Sequence, residues 1–224
     1  MKLLWDSATR APIPCLPPDP DSPEAFLESV HVPTRGWHEL RRSSHWISWG
    51  NTSDQFRLLE LVDGNSGFPA INQSSLNSYR RAMRQNALEQ GHGIVEVKLS
   101  RIAGVVALKT ITKYPLEHRL GFGYDGWICV PLPKLTVNMY TKVLGQDMTK
   151  RRATAADALL RVKRIDTSPD PNTWIRDPYD PEFDEVALHH LTDEARFDHM
   201  FPDHPLTLVR QDLKTLERHT VFRL

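Results

Sequence analysis

The sequence predicts an α+β fold in which an antiparallel meander over about residues 94–144 is packed by amphipathic helices. Two observations carry this expectation. Ile94-Val95-Glu96-Val97-Lys98-Leu99 and Val105-Val106-Ala107-Leu108-Lys109-Thr110-Ile111-Thr112 combine alternation with β-branched residues, and the short Ser100–Gly104 link between them has hairpin length. Two more strands, about Tyr124 to Val130 and Leu135 to Leu144, flank the turn that begins at Pro131, where prolines are tolerated outside a central ladder. Strands that follow one another with no helix between them point to an up-and-down sheet, since parallel strands need crossovers.

Residues 10–22 read as a proline-rich extended arm, because each proline fixes φ, removes a donor and restricts the residue before it. The arm runs into a helix from Pro23 to about Val30, with Ser22 as cap, Pro23 at the first helical position, and Phe26, Leu27 and Val30 on one face. Two short strands follow, Trp46–Trp49 and Phe56–Val62, the second ending at the turn pair Asp63-Gly64. A helix capped by Ser74 or Ser75 runs to Gly91, with Leu76, Tyr79, Met83 and Ala87 inward and Arg80, Arg81 and Arg84 mostly outward. Beyond the meander, Ala153 to Lys163 has a helical stripe of Ala155, Ala158, Leu159 and Val162. Residues 166–192 are polar and proline-punctuated, as in a segment that crosses the surface. Two helices close the chain: Asp193 to Met200 behind Thr192, and Pro205 to about His219 behind Asp203, the latter with Leu206, Val209, Leu213 and Leu216 on one face. No flexible linker interrupts the middle of the chain, so residues 1–224 are read as a single domain.

Composition excludes several function classes. The 28 Lys and Arg residues balance the 28 Asp and Glu residues, so nothing draws the whole molecule to a phosphate backbone or an anionic membrane. Nucleic acid is therefore not the expected partner. The two cysteines, Cys15 in the arm and Cys129 in an apolar run, make no disulfide framework and read as free thiols in a reducing compartment. There is no secretory h-region at Met1–Trp5 and no run of about eighteen apolar residues, so a soluble, cytoplasmic chain is expected. A nucleophile elbow, a phosphate loop, a dinucleotide fingerprint and a kinase motif set are all lacking, so no catalytic residue, cofactor or metal is assigned.

Four groups of residues are candidates for a site. Asp177, Asp180, Glu182, Asp184, Glu185, Asp193 and Glu194 make an acidic carboxyl-terminal surface of the kind that docks basic protein partners quickly and selectively. Lys150, Arg151, Arg152, Arg161, Lys163 and Arg164, with Arg80, Arg81 and Arg84, form a basic counterpart that either neutralises the acidic stretch, within the fold or across a partner, or binds phosphate. His189, His190, His199 and His204 lie among carboxylates, which suits zinc or iron, but no pair of histidines stands four apart around a glutamate, so capping or surface roles are expected. Trp37, Trp46 and Trp49 crowd together near His38 and His45, as in a ligand pocket or a core-edge cluster.

One resemblance concerns residues 91–160. Ile102-Ala103-Gly104-Val105, the Lys109 to Lys113 strand end, Gly123-Tyr124-Asp125-Gly126-Trp127-Ile128 and the Pro131-Leu132-Pro133 turn resemble the PsbP-like α/β sandwich, a curved antiparallel sheet with helices on both faces. The resemblance implies a non-enzymatic scaffold for docking to protein partners, including secretion accessory factors and photosystem subunits, and carries over no functional residue. Where such relatives have an acidic, glycine-rich segment after the last strand, this chain has Gly145 to Arg152, which is basic.

The expected function is a non-enzymatic, protein-binding module of immunity, adaptor or secretion-accessory type, acting through the acidic carboxyl-terminal surface. The competing expectation is a metal-dependent hydrolase built on the carboxyl-terminal histidines and aspartates, with an aromatic pocket near Trp46. Oligomeric state is left open.

Overall fold

The computed structural model describes residues 22–53, 55–63, 70–116, 121–144, 152, 154–155, 177–180, 182–183 and 189–223. The arm expected at 10–22 lies outside them but for Ser22, as does the helix expected at Ala153–Lys163 but for Thr154 and Ala155, which are helical.

Helix α1 (Pro23–Ser29) leads into β1 (Val30–His31), and three strands follow, β2 (His38–Arg42), β3 (Trp46–Gly50) and β4 (Gln55–Asp63). Helix α2 (Leu76–Glu89) precedes the long strands β5 (Gly93–Ile102), β6 (Val105–Pro115), β7 (Phe122–Pro131) and β8 (Leu135–Leu144). Helix α3 (Pro205–His219) and the short β9 (Val221–Phe222) end the chain.

The expected antiparallel meander is present, and it is one part of a larger sheet. Seven strands run in the order β2-β3-β4-β8-β7-β6-β5, every neighbouring pair antiparallel. Two meanders meet where β4 pairs with β8, from Gln55↔Val143 to Asp63↔Leu135. β1 and β9 pair separately and tie α1 to the end of α3.

The hairpin between β5 and β6 is tighter than its sequence suggests. Both strands extend to Ile102 and Val105, leaving only Ala103 (φ 48°) and Gly104 (φ 87°) in the turn. Two successive positive φ values match the right-handed twist of the flanking strands. A bulge at Val95 puts Val95 and Glu96 on the same face of β5. The outer edge of β5 is covered at Val97, whose N–H donates to the Tyr179 hydroxyl (2.5 Å) and whose carbonyl accepts from Arg80 Nε (3.3 Å). That covering removes a template for unwanted strand pairing.

One face of the sheet is closed by α3, whose Leu206, Val209, Leu213 and Leu216 are fully buried with Ile111, Tyr124, Ile128, Val137 and Met139 in the main core. The approach is close at Gly126, where an added Cβ would lie 2.7 Å from Val209 Cγ1 and 2.8 Å from Leu213 Cδ1. We therefore expect Gly126→Ala to cost about 1–3 kcal/mol by overpacking, read as a shift in the urea midpoint with an unchanged slope. A variant as stable as the parent would show that α3 can move off the sheet freely. On the other face, α2 packs Leu76, Tyr79 and Ala87 against Ile94, Val97 and Leu108.

Two expectations are corrected at the carboxyl end. Asp193 to Met200 is not one α-helix but two 3-10 segments, Leu191–Asp193 and Ala195–Met200, divided at Glu194 in extended conformation. Local bonds decide this: the Asp193 carboxylate accepts from the His190 N–H (3.0 Å) while His190 Nδ1 accepts from the Thr192 N–H (3.3 Å). The cap of α3 is His204, whose Nδ1 accepts from the Leu206 N–H, and not Asp203. No helix among the described residues is long and apolar enough to cross a membrane.

Candidate functional site

Helix α2 covers the β5–β6 side of its face. Toward β8, β4, β3 and β2, that same face carries no helix among the described residues. Strand alternation decides which side chains stand there. On β7 they are Asp125, Trp127 and Cys129, on β8 Asn138 and Tyr140, on β4 Phe56, Leu58 and Glu60, and on β3 Trp46 and Ser48. Register then sets Leu58 opposite Tyr140 and Tyr140 opposite Trp127. The Tyr140 and Trp127 rings lie 4.4 Å apart and Phe56 lies 6.0 Å from Tyr140, an aromatic ridge across three strands. Trp127 is 37% exposed at its crest, and Leu40 on the edge strand β2 is 50% exposed.

A hollow lies on either side of the ridge. One, of about 440 Å³, is lined by Leu40, Arg41, Trp46, Phe56, Leu58 and Glu60. The other, of about 310 Å³, lies between α2 and the sheet, with Thr110, Thr112, Asp125 and Asn138 among its polar walls. Burial raises the Asp125 pKa above the usual carboxylate value, against the pull of Lys142 and of the Tyr140 and Tyr114 hydroxyls. Asp125 Oδ1 is buried without a hydrogen-bond partner, with Lys142 Nζ 3.9 Å away. The Tyr140 hydroxyl is pushed far up by burial and then by Asp125. Burial also pushes the Cys129 thiol up to about 11, which keeps it protonated and a poor nucleophile at neutral pH.

The sequence-predicted residues are distributed differently from the expectation. Asp177 and Asp193 belong to no exposed acidic surface: each is buried, Asp177 against Arg84 (2.9 Å) and Asp193 against Lys113 (2.9 Å). Asp180 also meets Arg84 (3.0 Å), Glu194 meets Arg196 (2.9 Å), and Glu182 is exposed. Asp184 and Glu185 lie outside the described residues. Burial of charge requires pairing, and the long Arg and Lys side chains opposite supply it.

Of the basic group, Arg152 is 1% exposed and donates to the Thr192 and Glu194 carbonyls, Thr207 Oγ1 and Asp198 Oδ1, a structural role that withdraws it from solvent. Lys150, Arg151, Arg161, Lys163 and Arg164 lie outside the described residues. The three tryptophans do not line one pocket. Trp46 lines the larger hollow, whereas Trp49 points into the core on the opposite face and Trp37 packs there beneath the Arg57 guanidinium, 4.0 Å from its ring. Alternation along β3 separates Trp46 from Trp49. His189 and His204 are buried, His190 caps the first 3-10 turn and His199 is exposed; among the described residues no three His, Cys, Asp or Glu side chains gather as a metal site.

Sequence reasoning missed Asp125, Tyr140 and the Thr110–Thr112 floor. The available signal was a carboxylate two residues before Trp127 on one strand face, in a stretch otherwise apolar on alternate positions.

Fold and face together define an α+β protein with one seven-stranded antiparallel sheet, a helix closing one side and an aromatic half-face opposite. No family model and no curated protein matches the chain. Among solved structures it is similar to a point mutant of the protein Mog1, with 10% identity over 59% of this chain and 81% of that one and a TM-score of 0.40. It is likewise similar to the Saccharomyces cerevisiae Ran-binding protein Mog1p, with 11% identity over 60% of this chain and 80% of that one and a TM-score of 0.40. A protein from Bacteroides thetaiotaomicron shares 13% identity over 55% of this chain and 40% of its own, with a TM-score of 0.34. Likeness at this level carries no argument about what the chain binds.

Proposed function

We propose that this protein is a non-enzymatic, cytoplasmic protein-binding module of adaptor, immunity or secretion-accessory type, and that its partner docks on the aromatic half-face of the sheet. The observation that carries the reading is the ridge of Phe56, Tyr140 and Trp127 beside the exposed Leu40, flanked by two hollows. An exposed aromatic side chain such as Trp127, backed by the buried Tyr140 and half-buried Phe56 and set beside recesses, is what interface anchors use, because it buries large area at little cost in rotamer freedom. The partner fitting this face presents apolar side chains to the Leu40–Trp46–Phe56 hollow, with a basic group for Glu60 at its rim.

The docking surface moves here from the acidic stretch because Asp177, Asp180 and Asp193 already hold cations of the fold and Glu194 meets Arg196, leaving Glu182 as the exposed carboxylate among the described residues of that group. The same reading keeps residues 91–160 beside the PsbP-like sandwiches, as a docking scaffold.

Affinity capture from the native host with the full chain and with Leu40→Glu and Trp127→Ala variants tests this. Both positions are exposed enough for the fold to survive. A stoichiometric protein held by the parent and lost, by about tenfold or more in affinity, from both folded variants is the expected outcome. Retention of that protein by both variants overturns the placement, and capture abolished by Glu182→Lys and Glu194→Lys instead returns the site to the acidic stretch.

A further inference from the structure

We propose that the hollow between α2 and the sheet is a binding site for a small organic cation, a primary amine on a flat apolar body, with its ammonium against Asp125 and its body against Trp127. This goes beyond the docking reading, since an amine occupies the hollow whether or not a protein covers the ridge.

The argument starts from how this chain treats buried carboxylates. Asp177, Asp193 and Glu217 each meet a cationic nitrogen at 2.6–2.9 Å. Asp125 does not: its side chain is 14% exposed, Oδ1 has no hydrogen-bond partner, and the Lys142 nitrogen stands at 3.9 Å, beyond hydrogen-bond reach. Lys142 is turned toward the Tyr114 ring, 4.8 Å from its centre. A buried acceptor without its donor costs free energy in the empty protein, and a bound ammonium supplies that donor at Oδ1, adding its charge to the more distant Lys142 and to the Tyr114 and Tyr140 hydroxyls. Asp125 also lines a hollow of ligand size.

The rest of that hollow fits the other end of such a ligand. Its volume of about 310 Å³ sits at the lower end of small-molecule sites. Leu108 and Met83 supply apolar wall, and the Trp127 indole offers a face to a flat body or to the cation itself. Thr112 stands opposite Asp125 and Thr110 opposite Trp127, so hydroxyl groups line the way from the carboxylate to the indole, and Asn138, opposite Cys129, adds an amide toward the far end. Strand alternation brings these side chains from β6, β7 and β8 to one patch, and α2 forms the lip.

Calorimetric titration of the full-length protein with phenethylamine, and with 2-phenylethanol as an uncharged analogue of the same shape, tests the proposal. The expected result is saturable one-to-one binding of the amine, with the alcohol about tenfold or more weaker. Asp125→Asn, which removes the charge and keeps the shape, brings the amine down to the alcohol's affinity. Asn86→Trp, an exposed α2 position at the mouth, abolishes binding of both probes while melting like the parent. Equal affinity for amine and alcohol, an unchanged affinity in Asp125→Asn, or no saturation up to about 10 mM amine overturns the site. Should Asp125→Asn fail to fold, the amine–alcohol comparison and Asn86→Trp decide. Loss of the site with capture of the protein partner intact refutes this inference alone.

Discussion

Lys113→Met is expected to destabilise the fold by about 3–5 kcal/mol, because it leaves the Asp193 carboxylate buried without its cation. Lys113 projects from β6 under the carboxyl-terminal 3-10 turns, donating to Asp193 Oδ2 at 2.9 Å, with its ammonium 4.3 Å from the centre of the Phe122 ring. Both side chains are almost wholly withdrawn from solvent. Burial acts to raise the Asp193 pKa, but Lys113, then His189 and the His190 N–H, hold it below the usual carboxylate value. In the parent, Asp193 therefore contributes stability above the carboxylate's unfolded pKa, lost as pH falls through the lower folded value. Without Lys113 the sign of the Asp193 contribution reverses: its folded pKa moves above the unfolded one, so the variant's deficit relative to the parent narrows as pH drops toward 4, while the buried histidines lower the stability of both. Urea unfolding of Lys113→Met at pH 7 and pH 4.5 reads both effects. The double variant Lys113→Met with Asp193→Asn recovers part of the loss, since it removes the stranded charge. A single variant within about 1 kcal/mol of the parent at pH 7 would mean that water or another cation reaches Asp193.

Acid should unfold the protein well before its carboxylates protonate. His189 is held neutral by burial, its pKa lowered to about 4, with Lys113, Arg210 and His190 adding to the burial and Asp193 opposing it. His204 is lowered to about 3, by burial first and then by Arg152. Unfolded histidines bind a proton near pH 6.5 while these folded ones do not, so stability is flat above that pH and falls as pH drops from 6.5 toward 4. At about 1.4 kcal/mol per unit for each residue, the pair removes on the order of 5 kcal/mol by pH 4.5. Asp125, whose folded pKa is raised, works in the opposite direction near pH 4 and offsets part of the loss. Replacing His204 by Asn keeps an acceptor for the Leu206 N–H and removes one titrating group, so the slope of stability against pH should drop by about half. Equal stability of the parent at pH 6.5 and pH 4.5 would sink this account.

The local features of the fold were legible. The β5–β6 alternation, the α2 face of Leu76, Tyr79 and Ala87, and the α3 face of Leu206, Val209, Leu213 and Leu216 all lie where their periodicity puts them. The aromatic content of Trp46–Trp49 and Phe56–Val62 also marked two true strands, β3 and β4. The helix expected from Asp193 failed because reciprocal side-chain bonds around His190 hold the chain in 3-10 turns, a competition that periodicity does not register. The candidate sites fared less well. A run of carboxylates reads the same whether water or arginine faces it, so Asp177 and Asp193 looked like surface. The three tryptophans, close in sequence, were divided between two faces by a single strand's alternation.

Residue order alone marked the six strands β3 to β8 and the apolar stripes of the helices, because each arises from neighbours within a few positions, but not β2 or the two-residue turn at Ala103-Gly104. Three-dimensional packing decided the rest. It joined β4 to β8 into one sheet, set Lys113 against Asp193 across 80 residues and Arg84 against Asp177 across 93, and left half of one face to Trp127, Tyr140 and Asp125. A charge finds its partner, or lacks one, only after distant segments are brought together, since Coulomb attraction and burial depend on separation in space and not along the chain.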